Sequence, residues 1–290
     1  MRRCGRSSKL LWMPAPVDLP LAACPIGVFD SGVGGLSVLR AIRRQLPAHP
    51  LIYFADQAHV PYGPRPLDEL RGFSEAITRY LLAQGAGLIV VACNTASAAA
   101  LYHLRRVFPS TPFVGMEPAV KPAAEQTRSG VVGVLATPAT FQGALYASVV
   151  ERFAHGVKIL PHACPGLVQQ IEAGELDAPR TRAILEEALL PMLAQGIDTV
   201  VLGCTHYPFV IPLIQTIVGE AVRVIDPAPA VARQVARLAA NPTPTLPNGR
   251  SPLERGDGAV RFVTSGEAEA LQALLPRLWG QAGQVESVGL

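Results

Sequence analysis

Two stretches of the chain read almost alike, and this repeat constrains the fold more than any other feature. LAQGAGLIVVACNT begins at Leu82, and LAQGIDTVVLGCTH begins at Leu193. The offset is 111 residues at every aligned position, including the two cysteines, Cys93 and Cys204. A match of this length in a single frame indicates an internal duplication, so we expect two similar structural units.

Segments typical of strands alternate with segments typical of helices. PIGVFDSGVGGLSVL, from Pro25, is typical of a strand, a glycine-rich turn and a helix, and GVVGVLATPAT repeats that order from Gly130. The apolar runs LIVVAC and TVVLGC are typical of strands buried on both faces. Because this alternation predicts parallel sheets, we expect an α/β fold of two pseudo-symmetric domains.

Composition excludes several classes of protein. Of the 290 residues, 49% are hydrophobic and 16% charged, as in globular proteins with a large core. The net charge of +3 comes from scattered basic residues, so we expect no nucleic-acid partner. Five cysteines without regular spacing argue against a disulfide framework and favour a cytoplasmic protein. No apolar run is long enough to span a membrane, so no membrane partner is expected.

Two segments do not read as part of a domain. Residues 1–24 are basic at first and then interrupted by prolines, which predicts an N-terminal extension and not a secretory leader. Residues 241–258 are rich in proline and glycine, which predicts a flexible excursion. AVRFVTSG, from Ala259, is expected to form the last strand, followed by a short helix.

The positions of the two repeated cysteines suggest chemistry. Cys93 and Cys204 both follow a predicted strand and precede a predicted helix, where parallel sheets bind ligands and where a helix N-terminus lowers a thiol pKa. One such cysteine alone is most simply a small buried apolar residue. Two in equivalent frames predict thiols facing each other across a cleft. A thiolate on one face and a thiol on the other suit a racemase, which removes a proton and returns one with inversion.

Other polar residues accompany the pair. Asp30 and Ser31 end the first predicted strand; Asp30 would orient an ammonium group, assist Cys93 or cap a helix. His206 would protonate or orient Cys204. Further donors for carboxylates are Tyr62, Gly63, Asn94 and Thr95. From local sequence alone, Asp56 and Glu172 read as surface or capping residues.

No cofactor and no metal are expected. Ser37 stands where a dinucleotide-binding fingerprint needs its third glycine. The three lysines, Lys9, Lys121 and Lys158, are not at strand ends that would suit a pyridoxal Schiff base. The spacing of Cys204 and His206 is a poor match to a zinc site, and no CxxC occurs.

Seven motifs, in order, closely resemble those of the bacterial glutamate racemases. They are PIGVFDSGVGGLSVL, YFADQAHVPYGPRPLDE, VVACNTASA, GMEPAVKPA, GVLATPAT, LGCTHYPF and IDPAPAVARQV. The resemblance runs from about Pro25 to Gly280. It implies cofactor-independent interconversion of L- and D-glutamate, with D-glutamate supplied for peptidoglycan. It also implies two flavodoxin-like domains, residues 25–118 with 226–290 and residues 119–225, with the active site in the interdomain cleft.

The resemblance also assigns roles to residues. It implies that Cys93 acts on D-glutamate and Cys204 on L-glutamate, and that Asp56 and Glu172 support the site. The implied substrate contacts are Asp30, Ser31, Tyr62, Gly63, Asn94, Thr95, Thr205 and His206. A homodimer is expected, and a cell-wall precursor is a candidate effector.

Three alternatives stay open at this point. One is the sister activity on aspartate. Another is a hydrolase that uses a single cysteine, and the third is a non-catalytic amino-acid-binding protein.

Overall fold

The computed structural model describes residues 24–240 and 258–290. The predicted N-terminal extension, apart from Cys24, and the predicted excursion, apart from Gly258, lie outside the described residues. Within the described residues, no helix is both long and apolar enough to cross a membrane.

In these two described ranges, ten strands form two separate sheets. They are β1 (Ile26–Asp30), β2 (Leu51–Ala55), β3 (Leu88–Val91), β4 (Phe113–Gly115), β5 (Val131–Ala136), β6 (Lys158–His162), β7 (Thr199–Gly203), β8 (Arg223–Ile225), β9 (Val260–Thr264) and β10 (Val285–Ser287). The first sheet has the order β10-β9-β2-β1-β3-β4, and the second has the order β6-β5-β7-β8. Every pairing in both sheets is parallel, as predicted.

The two sheets repeat one topology. Numbered within its own unit, each contains four strands in the order 2-1-3-4, and β9 and β10 extend the first sheet beyond β2. The strands that carry the repeated sequence, β3 and β7, take the same third position. The duplication read from the sequence is therefore present in the fold, which is the predicted α/β architecture. The residue bounds of the two domains stay a prediction.

Helices cover the sheets. They are α1 (Leu36–Gln45), α2 (Leu67–Ala83), α3 (Asn94–Val107), α4 (Val120–Gln126), α5 (Pro138–Gln142), α6 (Ala144–Phe153), α7 (Leu167–Glu172), α8 (Pro179–Ala194), α9 (Ile211–Val218), α10 (Ala228–Ala239) and α11 (Ala268–Leu278), with a 3₁₀ helix at Tyr207–Val210. Helices on both faces bury the central strands completely, which is why β3 and β7 are uninterrupted apolar runs.

The expectation that Ala259 opens the last strand is wrong. The strand β9 does form there and α11 follows it, but β10 then adds an edge strand to the first sheet. This strand spans only three residues, of which Glu286 and Ser287 are exposed. A short, exposed edge strand lacks the apolar run by which the other strands were recognised.

Candidate active site

Both repeated cysteines open onto one cavity of about 250 Å³ between the two units. The predicted site residues that line it are Ser31, Tyr62, Gly63, Cys93, Asn94, Thr95, Cys204, Thr205 and His206. Three other predicted residues, Asp30, Asp56 and Glu172, lie behind this lining. Among the described residues that line the cavity there is neither lysine nor arginine, so the imidazole of His206 is their one potential cation.

The two thiols reach the cavity in the same way. Cys93 follows β3 and caps α3, since its sulfur accepts the Ala96 N–H at 3.4 Å. Cys204 follows β7 directly, but here a turn and the 3₁₀ helix come before α9. The predicted order of strand, cysteine and helix is therefore confirmed at both sites, but the segment between the cysteine and the α-helix is longer at the second. Each cysteine is only 5% exposed.

The surroundings of Cys93 belong to the first sheet's unit. Its thiol lies 3.9 Å from the Ser31 hydroxyl, and no imidazole is within hydrogen-bond reach among the described residues. Burial raises the pKa of Cys93 well above its usual value, and the charge of Asp30 raises it further. The Ala96 N–H at the start of α3 does act to lower this pKa, as expected, but burial outweighs it and the net shift is upward.

The surroundings of Cys204 are different. Its sulfur lies 3.7 Å from Nδ1 of His206, and Nε2 of that ring lies 2.5 Å from Oε1 of Glu172. Burial by itself would lower the pKa of His206, but the hydrogen bonds with Cys204 and Glu172 outweigh it and raise the pKa well above 6.5. The imidazole lies between a sulfur and a carboxylate, two groups that both favour its protonated form.

Asp30 is buried beneath the cavity lining. It accepts hydrogen bonds from the Ser31 N–H at 2.5 Å and from the Thr205 hydroxyl at 3.0 Å. Burial raises its pKa, while His206 and these donors act in the opposite direction. The interpretation as a helix cap is wrong, because Gly35 precedes α1 and has no side chain to cap it.

Asn94 carries the cavity's unsatisfied polar groups. Its side chain is 3% exposed, and neither the amide nitrogen nor the amide oxygen has a hydrogen-bond partner among the described residues. Buried polar groups are nearly always paired, so both polar atoms of this amide are available to a ligand at the cavity wall.

Asp56 supports the loop that forms another wall. It is 1% exposed and accepts hydrogen bonds from the hydroxyls of Tyr62 and Ser265, both at 2.5 Å, and contacts His59 at 2.8 Å. Burial raises the pKa of Tyr62, which keeps that hydroxyl a donor. The interpretation of Asp56 as a surface residue is therefore wrong.

The same interpretation of Glu172 is also wrong. Glu172 is 14% exposed, and besides His206 it accepts the Val33 N–H at 2.8 Å. Its partners lie in the first sheet's unit and in the loop after β7. Glu172 thus touches both sides of the cleft.

Thr137 and Cys164 are among the lining residues that the sequence did not single out. Thr137 follows β5 as Ser31 follows β1, and its hydroxyl lies 2.9 Å from that of Thr95 across the cleft. The repeated order of strand, turn and helix could have indicated Thr137, because it places this residue in the second unit where Ser31 stands in the first. Cys164 adopts φ of 44°, and its sulfur lies 3.5 Å from Nδ1 of His162. Burial raises the pKa of Cys164 to about 12, so it is a neutral thiol.

In the part of the chain that the structure describes, no three His, Cys, Asp or Glu side chains are grouped to hold a metal ion. Metal-independence stays a prediction for solution tests.

Known proteins match this chain over most of its length. The sequence profile of the Asp/Glu/hydantoin racemase family matches residues 26–235. A glutamate racemase from Roseiflexus sp. (strain RS-1) is 52% identical over 265 residues, covering 89% of this chain and 93% of the relative.

Solved structures of glutamate racemases also resemble this chain in fold. A glutamate racemase isoform from Bacillus anthracis has a TM-score of 0.80 and 33% identity, covering 93% of this chain and 98% of its own. Escherichia coli glutamate racemase in complex with L-glutamate and the activator UDP-MurNAc-Ala also has a TM-score of 0.80 and 33% identity, covering 92% and 98%. With this fold, these motifs and a cavity lined by both repeated cysteines, the chain belongs to the Asp/Glu/hydantoin racemase family, among its glutamate racemases.

Proposed function

We propose that this protein interconverts L- and D-glutamate by moving the Cα proton between Cys93 and Cys204. The observation that carries the proposal is the cavity shared by the two repeated cysteines, Cys93 and Cys204, which the repeated fold supplies from its two units. The glutamate racemases that match the chain support glutamate as the substrate.

Conversion of L-glutamate begins at Cys204. The His206 cation favours the thiolate beside it, and that thiolate takes the Cα proton; the Cα–H bond breaks and an S–H bond forms. The electron pair stays on the substrate, delocalised into the α-carboxyl group. Cys93, whose pKa is raised by burial, is a protonated thiol and gives its proton to the opposite face of Cα. The product is D-glutamate, and the reverse reaction exchanges the two roles.

Neutral donors hold the substrate in this proposal. Since the lining that the structure describes has no lysine or arginine, the carboxylates are held by hydroxyl, amide and backbone N–H groups. The candidates are Ser31, Tyr62, Gly63, Asn94, Thr95 and Thr205, with Thr137 added from the structure. The unpaired amide of Asn94 is the strongest of them, because binding would satisfy both of its polar atoms.

Deuterium labelling tests the two-thiol mechanism. With L-glutamate in D₂O, stopped early, we expect the new D-glutamate to carry deuterium at Cα and the remaining L-glutamate to carry almost none. Starting from D-glutamate, the labels should reverse. Substantial protium in early D-glutamate would indicate a single shared base and refute the mechanism.

Matched variants and substrates separate the alternatives. Cys93→Ala and Cys204→Ala should each abolish racemisation, whereas a hydrolase with one nucleophile would tolerate one of them. Faster inversion of aspartate than of glutamate would favour the sister activity, and binding of glutamate without turnover would favour a binding protein. Activity lost to EDTA and restored by zinc would contradict metal-independence.

The proposal extends to the cellular role. D-Glutamate would serve peptidoglycan synthesis in the cytoplasm, and the enzyme would act as a homodimer under control of a cell-wall precursor. Light scattering tests the dimer, and assays with added UDP-MurNAc-Ala test the effector.

A further inference from the structure

Three hydrogen bonds cross the cleft near Cys204. The Ser37 hydroxyl donates to the Thr205 carbonyl at 2.9 Å, and the Thr205 hydroxyl donates to Asp30 at 3.0 Å. The third runs from the Val33 N–H to Glu172, the carboxylate partner of His206. All three join the first sheet's unit to residues next to Cys204: two bonds are made with Thr205, and the third with Glu172, which forms with His206 the relay to Cys204.

The thiol of Cys93 does not depend on such contacts. Its two hydrogen-bond partners, the Ser31 hydroxyl and the Ala96 N–H, come from its own unit. The cleft-crossing bond on this side, between Thr95 and Thr137, does not touch Cys93. The placement of Cys204 relative to the first unit therefore rests on bonds that the placement of Cys93 does not need.

Ser37 is the side chain in this set that was not among the predicted site residues. It lies in the first turn of α1 and is 8% exposed. In the sequence, Ser37 occupies the position where a dinucleotide-binding fingerprint has its third glycine. A glycine there would leave the Thr205 carbonyl without this donor. A hydroxyl at this position therefore has a partner on the far side of the cleft.

We infer that Ser37 is a positioning residue for Cys204: its hydroxyl fixes the Cys204–His206 segment against the first unit, so that its loss slows proton transfer at Cys204 but not at Cys93. The kinetic part of this inference rests on the proposed racemisation.

Kinetic isotope effects test the inference in Ser37→Ala. We expect kcat/KM to fall about tenfold, which corresponds to about 1.4 kcal/mol. The primary isotope effect should rise with L-glutamate deuterated at Cα, because removal of that proton by Cys204 becomes more rate-limiting. With deuterated D-glutamate the primary isotope effect should fall, because proton removal by Cys93 becomes less rate-limiting. Ser37→Thr should restore both values, since it keeps the hydroxyl.

Thiol alkylation gives a second readout that needs no turnover. With iodoacetamide and peptide mass spectrometry, Ser37→Ala should label Cys204 at least threefold faster than the wild type and leave the rate at Cys93 unchanged. Ser74→Ala is the matched control: Ser74 is fully buried in α2, and its hydroxyl bonds only to Leu70 of the same helix at 2.7 Å. It should change neither rate.

The outcomes are distinguishable. Equal acceleration at both cysteines, unchanged isotope effects beside a reduced rate, or failure of Ser37→Thr to rescue would each overturn the positioning role. If the wild type does not racemise glutamate, the proposed function fails, and the alkylation rates still decide the role of Ser37.

Discussion

Replacing Gly34 by alanine tests how closely the glycine-rich turn packs against the histidine of the site. A Cβ at Gly34 would overlap Nδ1 of His206 and lie 2.7 Å from Oδ2 of Asp30. To regain an ordinary contact, the imidazole or the turn must move by about 1 Å, and a displacement of that size at a reacting group costs roughly 100-fold in rate. We therefore expect kcat/KM for glutamate to fall about 100-fold, or about 2.7 kcal/mol, in a polarimetric assay.

Gly72→Ala is the matched control for this substitution. Gly72 lies inside α2, is exposed, and has no atom within 4 Å of an added Cβ. Its replacement should leave kcat/KM unchanged and stabilise the fold by about 0.5–1 kcal/mol, because alanine favours a helix. If Gly34→Ala retains more than a third of wild-type activity with intact folding, the turn does not hold His206 in place.

Two further predictions concern carboxylates. In Glu172→Gln the loss of a negative charge should lower the pKa of His206, so the limb of the pH–rate profile that reports the imidazolium should move to lower pH; an unmoved limb would remove Glu172 from the relay. Asp198 is partly buried, which raises its pKa, but donors from Thr127, Arg128 and Ser129 outweigh burial and lower it to about 2. Its stabilisation is therefore present above about pH 4 and lost as the pH falls through about 2. With solvent screening, Asp198→Asn should cost about 1 kcal/mol in urea unfolding at pH 7 and nothing near pH 2.

The placement of both thiols could be predicted because it follows from local pattern and one topological rule. Apolar runs ending in Cys93 and Cys204 predict buried parallel strands, and parallel strands present their carboxyl ends at one edge of the sheet. Because the two units repeat one pattern, the two cysteines were expected at equivalent edges of the two sheets. Thr137 was within reach of the same reasoning, since it follows β5 as Ser31 follows β1.

The polar residues behind the cavity could not be predicted in this way. Asp56 is paired with Ser265, 209 positions later, and Glu172 with the N–H of Val33, 139 positions earlier. Nothing in the sequence around either carboxylate indicates these partners, so an exposed position was the natural expectation. The pKa of Cys93 was predicted in the wrong direction for a related reason. Helix position can be read from sequence, whereas the degree of burial depends on the whole fold.

The burial of both thiols has a consequence for repeated turnover. Under the proposed mechanism, the enzyme that releases D-glutamate holds its proton on Cys204 and its charge on Cys93, which is the form that accepts D-glutamate and not L-glutamate. It must exchange protons with water before it can take another L-glutamate, yet each cysteine is only 5% exposed. The protonation state of the free protein therefore depends on which enantiomer it released last. At high substrate concentration, this resetting and not the chemistry on Cα should limit net flux.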